Sequence, residues 1–146
     1  MAGNTDFVLT DLMLEAAEKG DLYVIEELAK IQENINPSTH NGNTVLHVAA
    51  EKGHLNVVSF YTNQLSNPNP CQLSNDKFRG RTPLHYAARE GHLPVVQHLV
   101  NLLDDKNPQD EPGTTPLHCA SLNGHLEIIK FLLPSLSDKN PKAGAQ

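Results

Sequence analysis

The chain has 146 residues, and its 11 Lys+Arg against 17 Asp+Glu leave a formal charge of −6, a balance that argues against a non-specific grip on nucleic-acid phosphates. Only 5% of residues are aromatic, none is Trp, and 38% are apolar, so the core must be built from Leu, Val, Ile and Ala. No apolar run approaches the ~20 residues of a membrane span, the N-terminus lacks the basic and apolar segments of a secretory signal, and two cysteines, Cys71 and Cys119, are too few for a disulfide framework; an intracellular protein is expected, cytoplasmic or nuclear. The first predicted elements lie around Asp11-Leu-Met-Leu14 and Ala16-Ala17, break at Gly20 and resume through Leu22, Val24 and Ile25. Glu15, Glu18, Glu26 and Glu27 give this region a polar outer face, as expected for the end of a stack.

The next element opens at Thr44, a helix N-cap whose hydroxyl can accept from an unpaired backbone N–H. The helix carries Leu46, Ala49 and Ala50 and ends at Gly53, a residue suited to the left-handed turn after a helix. A second helix follows with Leu55, Val57, Val58, Phe60 and Tyr61 at three- and four-residue steps. The same order then recurs twice. Thr82 and Thr115 cap helices that begin with Pro83 and Pro116, where the missing N–H costs nothing and φ is preset. Gly91 and Gly124 end those helices, and apolar runs from Leu93 to Leu103 and from Leu126 to Leu133 form the partners. Pro94 fits the first turn of the helix it opens.

These elements are copies of one unit. Thr44-Val-Leu-His-Val-Ala-Ala50 returns as Thr82-Pro-Leu-His-Tyr-Ala-Ala88 and as Thr115-Pro-Leu-His-Cys-Ala-Ser121, each followed by Gly-His-Leu at 53, 91 and 124. Glycines at 20, 53, 91 and 124, and Asn-Pro pairs at 36, 69, 107 and 140, both step by 33, 38 and 33 residues. The five extra residues of the third step fall within Cys71–Arg81, between the Asn-Pro pair and the next capping Thr.

On these motifs, over about residues 6–142, the chain resembles the ankyrin repeat family. The resemblance implies an all-α solenoid of stacked helix-turn-helix units with hairpin or loop fingers, used for protein–protein binding. Four units are expected, at about 6–36 (a degenerate N-terminal cap), 37–69, 70–107 and 108–140, with 141–146 a tail at the start of a fifth hairpin. The family's Gly-Ala-Asp loop is absent from every copy, being replaced by stretches such as Leu102-Leu-Asp-Asp-Lys-Asn107.

Catalytic and metal chemistry find little support. His47/His54, His85/His92 and His118/His125 recur at seven-residue spacing, whereas helical zinc pairs favour i,i+4 and need completing ligands. Backbone hydrogen bonding in the turns is the expected role. Cys119 reads as a buried inert thiol and Cys71 as an exposed one. No phosphate-binding glycine loop or nucleophile triad stands outside the repeat, so no cofactor, metal or enzymatic activity is expected. Asn36, Asn107 and Asn140 partly resemble the substrate pattern of asparagine hydroxylases that act on ankyrin hairpins; a hairpin Asn bonding its own turn is the favoured alternative.

In a stack of this kind, finger tips and the exposed sides of the first helices form one concave surface. The contact positions free of packing duty are His40, Asn41, Asn43, Glu51 and Lys52 in the second unit. In the third they are Phe78, Arg79, Arg81, Arg89 and Glu90, and in the fourth Glu111, Pro112, Thr114, Leu122 and Asn123. Residues 1–36 carry −6, 37–76 carry −1, 77–103 carry +3 and 104–146 carry −2. Phe78 between Lys77, Arg79 and Arg81 has the composition of an interface anchor. The expected partner is therefore an acidic or phosphorylated protein segment centred on residues 77–90, with no nucleic acid and no membrane. A monomer is expected, with self-association through the uncapped last unit as the alternative. A spacer segment of a longer solenoid and a regulatory domain of a larger protein are the other readings of function.

Overall fold

The computed structural model describes residues 2–71 and 78–137. Among these the chain forms eight helices: α1 (Ala2–Lys19), α2 (Leu22–Ala29), α3 (Val45–Lys52), α4 (Leu55–Gln64), α5 (Pro83–Glu90), α6 (Leu93–Leu102), α7 (Pro116–Leu122) and α8 (Leu126–Ser137). Each consecutive pair is antiparallel, and the pairs stack in sequence order. The first helices contact one another as α1·α3, α3·α5 and α5·α7, and the second helices as α2·α4, α4·α6 and α6·α8. The only β-type pairing among the described residues is a single antiparallel bridge between Ser38 and Thr44. The architecture is the all-α repeat solenoid.

The repeated motif works by satisfying the N–H groups that every helix start leaves without partners. In α3 Val45 donates to the Pro37 carbonyl at 3.1 Å, Leu46 to Asn36 Oδ1 at 2.9 Å and His47 to Thr44 Oγ1 at 3.3 Å. In α5 and α7 the first donor is removed by Pro83 and Pro116. Leu84 and Leu117 then donate to Asn69 Oδ1 and Asn107 Oδ1, each at 3.2 Å. Each Thr cap is worth about 1 kcal/mol. The Asn of the pairs at 36, 69 and 107 is thus the second cap of the helix that follows it, several residues later in sequence. Its own N–H is held by Asn34, Asn67 or Asp105 two residues earlier.

The core follows the two helix layers. Ala16, Ala17, Ala49, Ala50, Ala87, Ala88 and Ala120 are buried where first helices meet, and Ile25, Val57, Val58, Tyr61, Val95, Val96, Leu99, Ile128 and Leu132 are buried where second helices meet. Small residues allow close approach in the first layer, while branched residues fill the second. Tyr61 occupies the position held by Leu99 and Leu132 in later units, and its hydroxyl is buried without a hydrogen-bond partner.

The first unit departs from a plain cap in one respect. α1 runs for 18 residues against 8 for α3 and α5, and position 11 holds Asp where the other units have the capping Thr. The helix continues N-terminally through the place where the other units have a finger. Phe7, Val8 and Leu12 are exposed on this extension. The expected lengthening of the third finger falls mostly on residues 72–77, and the fifth hairpin with Asn140 falls on 138–146; both lie outside the described residues, as does Lys77.

Candidate functional site: fingers and first-helix face

The histidines hold neighbouring units in register. His47 Nδ1 accepts the Thr44 N–H at 3.1 Å, so Nε2 must carry the proton. That N–H donates to the Arg81 carbonyl of the next unit at 3.0 Å. His85 repeats the arrangement, with Nδ1 accepting from Thr82 N–H at 3.0 Å and Nε2 donating to the Thr114 carbonyl at 2.8 Å. His118 Nδ1 accepts from Thr115 in the same way at 3.1 Å, but the ring is exposed. The second set points backward. Nε2 of His54, His92 and His125 donates to the carbonyls of Glu18, Glu51 and Arg89, each at 2.8 Å. The ring of each also lies over the left-handed glycine of the preceding unit, Gly20, Gly53 or Gly91, where an added Cβ would collide with it. Burial pushes the His47 imidazole down to about 4, and burial lowers His85 as well. The acceptor role of Nδ1 in His47 and His85 requires a neutral ring.

The fingers are short turns of one design. Thr39 N–H donates to the Asn43 carbonyl at 2.9 Å in the second unit, and Asp110 N–H to the Thr114 carbonyl at 2.9 Å in the fourth. The Thr39 hydroxyl bonds Asn41. In the third unit Arg81 N–H closes a turn on the Phe78 carbonyl at 3.0 Å. The third and fourth fingers are fastened together: Glu111 N–H donates to the Arg79 carbonyl at 3.0 Å, Arg79 Nε pairs with Glu111 at 2.6 Å, and Arg81 Nε pairs with Asp110 at 3.2 Å. Asp110 also accepts from Thr114 N–H at 2.7 Å, and its side chain is 0% exposed. The Arg81 guanidinium lies 4.5 Å from the centre of the Phe78 ring and is only 13% exposed.

Of the residues singled out from sequence, His40, Asn41, Lys52, Glu90, Glu111, Pro112, Leu122 and Asn123 are exposed, and Asn43, Glu51, Phe78, Arg79, Arg81, Arg89 and Thr114 are half-buried. The structure joins Phe78, Arg79, Arg81 and Glu111 in one two-finger cluster and pairs Arg89 with Glu90 at 3.4 Å. Asn123 Nδ2 donates to the Cys119 carbonyl at 2.9 Å, so part of its capacity serves the end of α7. Three of the four bases behind the +3 of residues 77–103 are therefore matched by a carboxylate, two of them from the fourth finger. Phe78 lies against the Arg81 side chain that is anchored to the fourth unit.

Two residues of this surface escaped the sequence reading. Asp110 looks like an ordinary loop acid, and nothing in its local sequence marks its burial against Arg81. Tyr86 follows His85 on α5 and is buried, with its ring edge-on to His47 at 5.9 Å. Burial raises its phenol, a hydrogen bond with the Asn43 side chain opposes that, and Arg81, Glu51 and Arg89 all act on it electrostatically. Tyr86 is thus the point on which Asn43, Glu51, Arg81 and Arg89 converge. Cys119 takes the equivalent place on α7, where burial raises its thiol, and Cys71 is exposed.

No group of three or more His, Cys, Asp or Glu side chains among the described residues is arranged to hold a metal. No helix of the described residues is long and apolar enough to cross a membrane. An open cleft of about 490 Å³ lies at the first unit, lined by Asp6, Thr10, Gln32, Glu33, Asn34 and Pro37. Asn36 and Asn107 commit their side-chain oxygens to the Leu46 and Leu117 N–H groups, which supports their role as structural caps.

Stacked helix pairs, stitched by alternating histidine bonds and carrying finger turns along one edge, define a repeat solenoid. Residues 62–143 match the family model described as "Ankyrin repeats (3 copies)", and residues 13–60 match that described as "Ankyrin repeats (many copies)". The chain belongs to the ankyrin repeat family. Such repeats act in general as protein–protein interaction modules and are typically not catalysts. A 54-residue stretch is 39% identical to the 60 kDa lysophospholipase of Mus musculus, covering 37% of this chain and 10% of that protein. The chain thus matches about a tenth of that relative's length.

Proposed function

We propose that this protein is a non-catalytic, intracellular interaction module that binds a partner protein across the fingers and first-helix face of its second to fourth units. The observation that carries the reading is the fastened pair of third and fourth fingers, a preorganised platform in which Phe78, Arg79 and Glu111 keep partial exposure. Preorganisation lowers the ordering cost of binding, and aromatic and Arg side chains dominate interface energetics. Arg79 and Arg89, each with a side chain 39% exposed, are the bases placed to meet acidic groups of a partner. Arg81 supports them from below. His40, Asn41, Asn43, Glu51, Lys52, Glu90, Pro112, Thr114, Leu122 and Asn123 form the remainder of the surface. The likeness to the lysophospholipase spans less than two 33-residue units and a tenth of that protein, too little to carry its chemistry to this chain.

The test is capture of a partner from cell extract, followed by affinity measurement with the purified pair. Phe78→Ala and Arg79→Ala should each weaken binding by about 2 kcal/mol if they are hot spots, with circular dichroism unchanged. Losses of only a few tenths at both positions would remove the two-finger platform from the binding site.

A further inference from the structure

The last turns of the four first helices lie side by side, and three repeated bonds set their registration. Nε2 of His54, His92 and His125 donates to the carbonyls of Glu18, Glu51 and Arg89 at one shared distance, 2.8 Å. Each of these acceptors stands two residues before a left-handed glycine, and Leu122 stands in the same relation to Gly124. One residue per unit therefore forms a row across the stack: Glu18, Glu51, Arg89, Leu122. Leu122 is 82% exposed. Among the described residues neither Glu18 nor Glu51 has an ion-pair partner, and Arg89 pairs only with its neighbour Glu90. Glu51 and Arg89 of the row act electrostatically on the Tyr86 hydroxyl, which is hydrogen-bonded with the Asn43 side chain.

Packed helices lie about 8–10 Å apart, and because α1, α3, α5 and α7 pack in succession the row is expected to repeat at about that interval. A polyproline II strand has three residues per turn and advances about 3.1 Å per residue, so every third side chain shares one face at about 9 Å intervals. A β-extended strand instead sends residues three apart to opposite faces. We infer that the row receives a polyproline-II-like segment of a partner protein, with a basic residue against Glu18, a second against Glu51, an acidic residue against Arg89 and an apolar residue against Leu122, at three-residue intervals. This rests on the interaction-module reading and supplies it with a ligand sequence. It also makes the partner mixed in charge. The arginines of the third finger are matched by carboxylates of the fourth, whereas Glu18 and Glu51 are not matched.

The experiment uses the full chain and three fluorescently labelled peptides: Lys-Pro-Ser-Lys-Pro-Ser-Glu-Pro-Ser-Leu, the same residues in reverse order, and a scramble of identical composition. One of the two ordered peptides should bind about tenfold more tightly than the scramble in fluorescence anisotropy. Glu51→Arg should weaken that complex about fivefold, and a peptide with Glu in place of the Lys nearer to its Glu should recover binding to the variant. Arg89→Glu should respond in the same way to a peptide with Lys in place of its Glu. Scrambled and ordered peptides binding alike, or indifference to both reversals in folded variants, would overturn the inference. If a protein partner is still held through Phe78 and Arg79 while order dependence is absent, the module reading stands and this assignment alone is lost.

Discussion

Acidification should loosen this solenoid through His47 well before its carboxylates titrate. His47 is 1% exposed; its Nδ1 receives the Thr44 N–H and its Nε2–H reaches the Arg81 carbonyl, so a second ring proton would displace the Thr44 N–H and leave an imidazolium in the core. The folded value is about 4 against 6.5 for the free side chain, with burial as the main cause. Between those values the unfolded chain binds a proton that the folded chain refuses, so stability must fall as pH drops through this window. Above about pH 7 the group contributes no slope. The full separation corresponds to about 3 kcal/mol once pH is below both values, and at pH 5 to about 2 kcal/mol. His85 is shifted the same way by burial and adds to the loss. Urea unfolding followed by far-ultraviolet circular dichroism at pH 7.5, 6.5, 5.5 and 5.0 measures the slope. His47→Gln, less stable at neutral pH, should lose about 2 kcal/mol less than wild type on going to pH 5. Parallel pH profiles for the two proteins, or an NMR titration in which His47 protonates near 6.5 while the chain stays folded, would refute the reasoning.

Two further substitutions examine separate features. Tyr61→Phe removes a buried hydroxyl that has no partner while keeping the ring, so thermal unfolding should show equal or greater stability, by up to about 1 kcal/mol; a loss of that size would show that the hydroxyl is bonded. Arg81→Ala leaves the Asp110 carboxylate buried and uncompensated and should cost about 3 kcal/mol, whereas Arg79→Ala at the more exposed Glu111 pair should cost under about 1 kcal/mol. Adding Asp110→Asn to Arg81→Ala should recover part of the loss in chemical denaturation, and no recovery would place the damage elsewhere than at the ion pair.

Much of the scaffold was legible because its signals are local and repeated. A capping Thr, a Pro or Val after it and a glycine nine residues on from the Thr mark where each first helix begins and, within a residue, where it ends, and three copies confirm one another. The backbone role of the histidines was implied by the resemblance to the ankyrin repeat family. The extension of α1 was not foreseen, because the absence of a start signal is a weak mark beside the presence of one. The state of the basic third unit was hidden for another reason. Arg81 and Asp110 lie 29 residues apart, Arg79 and Glu111 lie 32 apart, and no short window contains both members of either pair.

Sequence by itself therefore determined the repeat, its phase, the helix boundaries after the first unit and the list of positions left over from packing. These follow from backbone capping and apolar periodicity, which act over a few residues at a time. Tertiary structure alone decided what the leftover positions present to a partner. Stacking brought the fourth finger's carboxylates onto the third finger's arginines, buried Tyr86 edge-on to His47, and aligned one residue per unit into a row. Charge reaches across units through space, so the net field of this surface was fixed only when neighbouring units came within hydrogen-bond distance of one another.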